Sequence, residues 1–132
     1  MKKIVLSVFA MMSVLTTMAS EFTTAGDGKT YTFATLAEAS DAVSAEGNVF
    51  TVNDDITIAP SDVLTLNGGE QVKMANGVCI TIQGSANLNG NGASMFTRTD
   101  SEAEPKGFRV EGQLSASNVV FEYMAIQQVS SE

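Results

Sequence analysis

The chain contains no histidine, no tryptophan, two prolines and a single cysteine in 132 residues. Without histidine, catalysis by a Ser-His or Cys-His pair is excluded, and a zinc site is disfavoured because the commonest ligand is missing. Because Cys79 is the only cysteine, no intrachain disulfide can form and packing alone must close the core. Val78 and Ile80 flank Cys79 without a cation in the same segment, which predicts an unreactive strand residue.

The N-terminus is a candidate export signal. Lys2 and Lys3 precede an uncharged, largely apolar run that ends in an A-x-A-like cleavage site before Ser20. This order predicts a signal peptide at residues 1–19 and a secreted or cell-surface protein. A buried N-terminal helix is the alternative. The apolar run is shorter than the roughly 20 residues that a transmembrane anchor needs.

Basic side chains are scarce throughout the chain. There are seven Lys and Arg against fifteen Asp and Glu, and the net charge is −8. Loss of residues 1–19 would remove Lys2 and Lys3 but no acid, and would leave a net charge near −10. Nucleic acids and anionic membranes attract clusters of Lys and Arg, so this composition argues against both as partners. The remaining length fits one domain.

One short helix is predicted near the start of the mature chain. Residues 20–34 are small and polar and predict a leader followed by a first strand. Thr35 and Glu38 have the spacing of a capping box, and Leu36, Ala39 and Val43 follow at helical spacing before a glycine. We therefore expect a helix over about residues 36–45, within a capping segment at 35–47. This helix is expected to cover the start of the strand-rich region that follows from residue 48.

From residue 48 to 132 the sequence predicts an all-β fold. Apolar pairs with one residue between them recur about every eight residues, separated by turn residues. Three such units make about 24 residues, the length of one coil of a three-sided parallel β-helix, or β-solenoid. An antiparallel β-sandwich is the alternative. The pairs begin at Phe50, Ile56, Leu64, Val72, Ile80, Phe108, Val119 and Met124, with Leu88 and Phe96 as single members.

The predicted series of coils is interrupted by one loop, and its last coil is predicted to have no capping element. Residues 99–105 contain three acids and predict a solvated loop that bulges from a corner. The predicted helix covers the first coil, but no comparable segment follows the last strand, so the C-terminal coil is predicted to be uncapped. An uncapped coil exposes backbone groups and apolar surface, which suggests end-to-end self-association.

Six short motifs follow one another along the chain, at residues 55–58, 72–77, 80–84, 97–100, 105–107 and 118–123. In their order and spacing they resemble the N-terminal parallel β-helix region of secreted and surface proteins of Bacteroidetes-type Gram-negative bacteria. The resemblance implies export to the periplasm or outer surface, and a role in adhesion, glycan contact or scaffolding. For some relatives it implies glycan degradation. It supplies no catalytic motif for this chain.

No catalytic, cofactor-binding or metal-binding residue is assigned. Asp54, Asp55 and Asp62 are candidates for a calcium corner, but an aspartate-rich solvated turn is the favoured interpretation. A polysaccharide lyase would need a Lys or Arg that removes a proton from the substrate, and four cations are candidates. We interpret these cations instead as members of surface ion pairs. These cations are Lys73, Arg98, Lys106 and Arg109, and Arg98 lies close to Asp100 in the sequence.

The aromatic residues give little support for a glycan site. Phe50, Phe108 and Phe121 have inward positions in the predicted strands. Tyr31 and Tyr123 are the aromatic residues that carry a polar hydroxyl group. Tyr123 lies two residues after Phe121, so strand alternation predicts that it also points inward.

The sequence therefore predicts an exported, non-catalytic structural or binding module, with a glycan or a host-surface protein as candidate partner. The alternative is the N-terminal fragment of a polysaccharide-degrading β-helix enzyme whose active site lies outside this chain.

Overall fold

A computed structural model describes residues 21–66 and 68–129, which are mostly β, and the predicted signal peptide at 1–19 lies outside this range. The all-β prediction is confirmed. The elements are β1 (Phe22–Thr23), β2 (Thr30–Tyr31), α1 (Phe33–Ala39), β3 (Val43–Glu46), β4 (Val49–Val52), β5 (Ile56–Ile58), β6 (Val63–Leu66), β7 (Gln71–Met74), β8 (Cys79–Ile82), β9 (Ser85–Arg98), β10 (Gly107–Val110), β11 (Gln113–Phe121) and β12 (Ala125–Gln128).

The strands form two curled sheets. The first has the order β1-β5-β8-β10-β12, and the second has the order β2-β6-β9-β7-β4-β3 with β11 paired to β9. Among the described strands the β3–β4 pair is antiparallel and the other pairs are parallel. This pattern differs from the antiparallel sandwich that was the alternative. The long strand β9 pairs with β6 through its first half and with β7 through its second half.

Parallel pairing in register places like residues above one another. Ile56 pairs with Ile80, and Ile80 pairs with Phe108, so one column of apolar side chains runs through the first sheet. Each of the three is at most 1% exposed. The strands β4, β5, β6 and β8 alternate buried and partly exposed residues. The apolar pairs of the sequence are therefore the inward positions of these strands, as the two-residue period predicts.

Phe96 is the centre of an aromatic cluster that joins both sheets and the helix. It is fully buried, and its ring lies 5.7 Å from Phe33, 5.2 Å from Phe108 and 5.2 Å from Phe121, between ring centroids. The pair with Phe121 is stacked at 15°, whereas the pair with Phe108 is edge-on at 77°. Both arrangements are favoured by the charge distribution of aromatic rings.

Two glycines allow the backbones of successive segments to pack against one another at a corner of the fold. A Cβ on Gly84 would collide with the Asp62 carbonyl oxygen, and a Cβ on Gly112 would collide with the Gly84 carbonyl oxygen. A side chain is therefore excluded at both corners, because the backbone of the preceding turn of the chain already occupies that space.

The helix differs from its predicted bounds and cap. Thr32 is the N-cap, and a capping box joins it to Thr35, so Glu38 is not the partner. Phe33 and Leu36 are buried, whereas Ala39 is exposed.

The helix ends before the predicted residue 45 because residues 43–46 pair with strand β4. Val43 lies on β3 and pairs with Val52 of β4 across a two-residue turn at Gly47 and Asn48, and Gly47 has a φ of 64°. The hairpin covers the edge of β4 that faces away from β7, and a helix continued through residue 45 would leave that edge without β3.

We predict that Phe96→Ala lowers the free energy of unfolding by about 3–5 kcal/mol, because it removes buried surface and opens a cavity between three other rings. Urea unfolding followed by circular dichroism measures the change. Val120→Ala, at a half-exposed site, is the control and should change stability by less than about 0.5 kcal/mol. Equal effects of the two substitutions would contradict the central position of Phe96.

Candidate functional site

Asp62 is a buried carboxylate that holds the N-terminal segment against the corner between β5 and β6. Its side chain accepts hydrogen bonds from the backbone N–H groups of Gly26 at 2.7 Å, Gly28 at 2.8 Å and Lys29 at 3.1 Å. The Thr24 hydroxyl lowers the pKa of Asp62 most, the three N–H groups lower it further, and burial opposes them. This carboxylate is therefore engaged by the Thr24 hydroxyl and by three backbone donors.

The other two candidate calcium ligands also bind backbone groups. Asp54 Oδ1 accepts from the Asp55 N–H at 2.8 Å, and Asp55 Oδ1 accepts from the Cys79 N–H on the neighbouring strand at 2.9 Å. Within residues 21–66 and 68–129, no group of three or more acidic, Cys or His side chains is arranged to hold a metal ion. The structure thus does not bring Asp54, Asp55 and Asp62 together as a site.

Two of the four candidate basic residues, Arg98 and Arg109, have different partners. Arg109 Nε lies 2.8 Å from Glu111 Oε2, and the hydrogen bond from Arg109 lowers the pKa of Glu111. Arg98 donates from Nη1 to the Ser101 carbonyl at 3.2 Å, and its guanidinium lies 3.7 Å from the centroid of the Tyr123 ring. Arg109 is thus in a surface ion pair, as predicted, whereas the contacts described for Arg98 are to a backbone carbonyl and an aromatic ring.

The acidic loop at 99–105 is attached to a neighbouring corner and does not simply bulge into solvent. The Glu104 N–H donates to Asn76 Oδ1 at 2.9 Å, and the Glu104 carbonyl accepts from the Gly77 N–H at 3.1 Å. Ala103 is 4% exposed. Sequence reasoning missed this attachment because the loop and the Asn76 corner are far apart in the chain.

Cys79 lies on β8 and is half-buried. A shallow depression of about 420 Å³ beside it is also lined by Lys106, Arg109 and Gln127. Parallel pairing of β8 with β10 places Lys106 and Arg109 around the same depression as Cys79, whereas the local sequence around Cys79 has no cation. This juxtaposition could not be found from spacing within one segment.

Tyr123 is exposed, and its predicted inward position is wrong. It is 60% exposed and has a φ of 62°, in the left-handed region that bulky residues rarely adopt. The chain turns here from β11 to β12, and the left-handed residue breaks the strand alternation on which the prediction depended. Tyr31, in contrast, packs partly buried against the core.

The exposed apolar surface lies at one end of the structure. In the described residues, the exposed large hydrophobic side chains are Val120 at 50%, Tyr123 at 60% and Ile126 at 45%. Ile126 pairs with Phe108, so it continues the column of Ile56 and Ile80, but nothing described covers it. Among the described residues, the apolar column is therefore uncovered at β12.

We predict that Asp62→Asn destabilises the protein at neutral pH, because the amide places an N–H₂ group against backbone donors. The folded-state pKa of Asp62 is lowered from its ordinary value of 3.8, so its contribution is complete above that pH and is lost as the pH falls through the lower folded-state value. The difference in unfolding free energy between the two proteins should therefore shrink below about pH 4. Urea unfolding across the pH range measures it.

The control for this titration is Asp54→Asn, which changes a local hydrogen bond in an exposed turn. Its unfolding free energy at neutral pH should stay close to that of the wild type, because the hydrogen bond that it changes is local and exposed. A constant gap between wild type and Asp62→Asn down to the lowest pH would contradict the role of the Asp62 charge.

We predict that Tyr123→Gly is more stable than Tyr123→Ala by about 1 kcal/mol. Both variants lose the ring and its contact with Arg98, so the comparison isolates the backbone. Glycine adopts a positive φ freely, whereas alanine is strained there. Thermal and urea unfolding measure the difference, and an alanine variant of equal or greater stability would contradict the left-handed conformation.

Comparison of the chain with protein-family models, with curated proteins and with solved structures finds no match in any of the three. Over residues 21–66 and 68–129, no helix has the length and apolar character that crossing a bilayer requires. The resemblance to Bacteroidetes surface proteins stays a prediction from the sequence.

Proposed function

We propose that this chain is an exported, non-catalytic structural module of a cell-surface or secreted protein, built as a segment of three-sided parallel β-helix. The observation that carries the proposal is the regular parallel register of its strands. Strands β5, β6 and β7 follow one another in the chain, and their parallel neighbours are β8 and the two halves of β9. The next neighbours in the same order are β10 and the two parts of β11. Three strands for each turn of the chain is the arrangement that a three-sided β-helix requires.

The use of the polar side chains supports a structural role. Asp62 binds three backbone N–H groups, Asp55 links two neighbouring strands, and Arg109 is paired with Glu111. The two aspartates hold distant segments of the chain together, and all of these contacts engage groups that a lyase would direct at a substrate. The scaffold interpretation is favoured over catalysis for this reason.

A scaffold role is also favoured over glycan contact. Flat exposed aromatic rings are the usual platform for a sugar, since a ring can cover the apolar face of a sugar. Tyr123 is the exposed large aromatic side chain of the described residues, and the Arg98 guanidinium lies against its ring. A single ring that is already in contact with a cation gives weak support for a sugar platform.

We predict that the full chain, expressed in a Gram-negative host, reaches the periplasm as a protein that begins at Ser20 and has a strand-dominated far-UV spectrum. The purified protein should not cleave polygalacturonate, alginate or chondroitin sulfate. Mass spectrometry identifies the N-terminus, and ultraviolet absorbance of unsaturated products measures lyase turnover. Turnover of any of these polysaccharides would overturn the non-catalytic assignment.

The matched control for export replaces Lys2 and Lys3 with glutamate, which removes the basic start and leaves the apolar run unchanged. This variant should remain in the cytoplasm with an uncleaved N-terminus. Cytoplasmic retention of the unaltered chain would contradict the export signal.

A further inference from the structure

A strap of residues 22–31 lies along one edge of each sheet. β1 pairs with β5 in the first sheet, and β2 pairs with β6 in the second. Each of these two strands has two residues, and Thr24 is the one buried residue of the strap. Phe22 and Tyr31 are partly buried against the core. Because it buries so little surface, the strap is held less by apolar packing than the other strands are.

The Asp62 carboxylate is the polar anchor of the strap. It accepts hydrogen bonds from the Thr24 hydroxyl and from the backbone N–H groups of Gly26, Gly28 and Lys29. These donors all belong to the strap, whereas Asp62 lies at the corner between β5 and β6 and is fully buried. Gly26 and Gly28 have φ values of 79° and 83°, a conformation in which neighbouring N–H groups turn toward one anion.

No opposite charge among the described residues shares this role. Lys29 and Asp27 form an exposed ion pair with one another at 3.6 Å, and no described cation forms a salt bridge with Asp62. On the opposite side, Gly84 and Ser85 contact the backbone of Asp62 and carry no titratable group. The buried charge is therefore stabilised by the strap, and the strap is held by that charge.

We propose that the strap detaches from the rest of the fold as a separate unit, and that the ionised Asp62 carboxylate keeps it attached. Gly28 and Lys29 donate to Oδ1, and Gly26 donates to Oδ2. A proton on either oxygen would therefore place an O–H group against an N–H group, so the neutral acid binds the strap less well than the anion does.

The remaining fold keeps its own contacts when the strap is detached. β5 still pairs with β8, and β6 still pairs with β9. α1 begins directly after the strap and has its own buried residues, Phe33 and Leu36. Detachment uncovers the edge of β5, where the Asp55 and Thr57 carbonyls accept hydrogen bonds from strap N–H groups. Since an uncovered edge pairs with other extended chains, the strap controls access to this edge.

Limited proteolysis with trypsin tests the proposal, because Lys29 is the one trypsin site in the strap. In the purified chain at neutral pH, Asp62→Asn should increase cleavage after Lys29 by at least about 10-fold, since a neutral amide replaces the anion. Asp54→Asn is the control and should cleave like the wild type. Sites outside the strap should stay resistant in all three proteins. These sites are Lys73, Arg98, Lys106 and Arg109.

A second variant weakens the strap without changing Asp62. Gly28→Ala strains a left-handed position with no atom within 4 Å of the added carbon, so it should also increase cleavage after Lys29. Gly77→Ala is the matched control, because Gly77 has a φ of 76° and equally free space but lies outside the strap. It should leave cleavage after Lys29 unchanged. Rates for the urea-unfolded chains correct for the effect of each substitution on trypsin itself.

Acid should detach the strap of the wild-type protein. Since the pKa of Asp62 is lowered from 3.8, the attachment is complete above that pH and is lost as the pH falls through the lower folded-state value. Hydrogen exchange, corrected for the pH dependence of the intrinsic rates, should show that residues 22–31 lose protection in this range. The amides of β8 and β10 should stay protected.

Each outcome decides the proposal. Cleavage after Lys29 that neither Asp62→Asn nor Gly28→Ala increases would overturn it. Loss of protection in the strap and in β8 at the same pH would also overturn it, because the strap would then unfold only with the whole protein. Circular dichroism identifies a variant that has not folded. Selective opening in Gly28→Ala, together with selective loss of strap protection in acid, would support the proposal even if Asp62→Asn does not fold.

Discussion

The structure depends on the stacking of like residues in register on parallel strands. Ile56, Ile80 and Phe108 occupy equivalent inward positions, and every one is nearly inaccessible to water. Each residue in such a column is covered by the residue of the preceding strand and covers the next one, so burial passes from strand to strand. The chain needs no disulfide for this purpose, although it has a core of modest size. A column also has two ends, and each end must be closed separately.

The polar contacts hold the corners that this stacking requires. Asp62 fixes the N-terminal segment through three backbone N–H groups, and Asp55 binds the N–H of Cys79 on the neighbouring strand. Buried carboxylates of this kind are stabilised as anions by their donors, which is why the pKa of Asp62 is lowered. Aspartates in the turns of this sequence therefore have a structural explanation, and their number alone does not indicate a metal site.

The sequence predicts most of the strand positions and fewer of the corners. Alternation of apolar residues identifies inward positions such as Ile80 and Ile82, because a two-residue period has one physical interpretation. The helix bounds and the position of Tyr123 were wrong, since a hairpin at 43–52 and a left-handed residue before β12 both override local patterns. The attachment of loop 99–105 and the cations beside Cys79 arise from pairing across distant segments. No single-segment pattern contains that information.

The difference between the two ends explains why a stack of this kind is both stable and limited. α1 closes one end with Phe33 and Leu36, and the rings of Phe33 and Phe96 lie 5.7 Å apart, so the cap belongs to the same core as the strands. At the other end the column reaches Ile126 in the same register, and no residue within 21–66 or 68–129 covers it. A parallel stack cannot close itself, because each added strand creates a new edge equivalent to the last. Closure must come from a different element, as it does at α1.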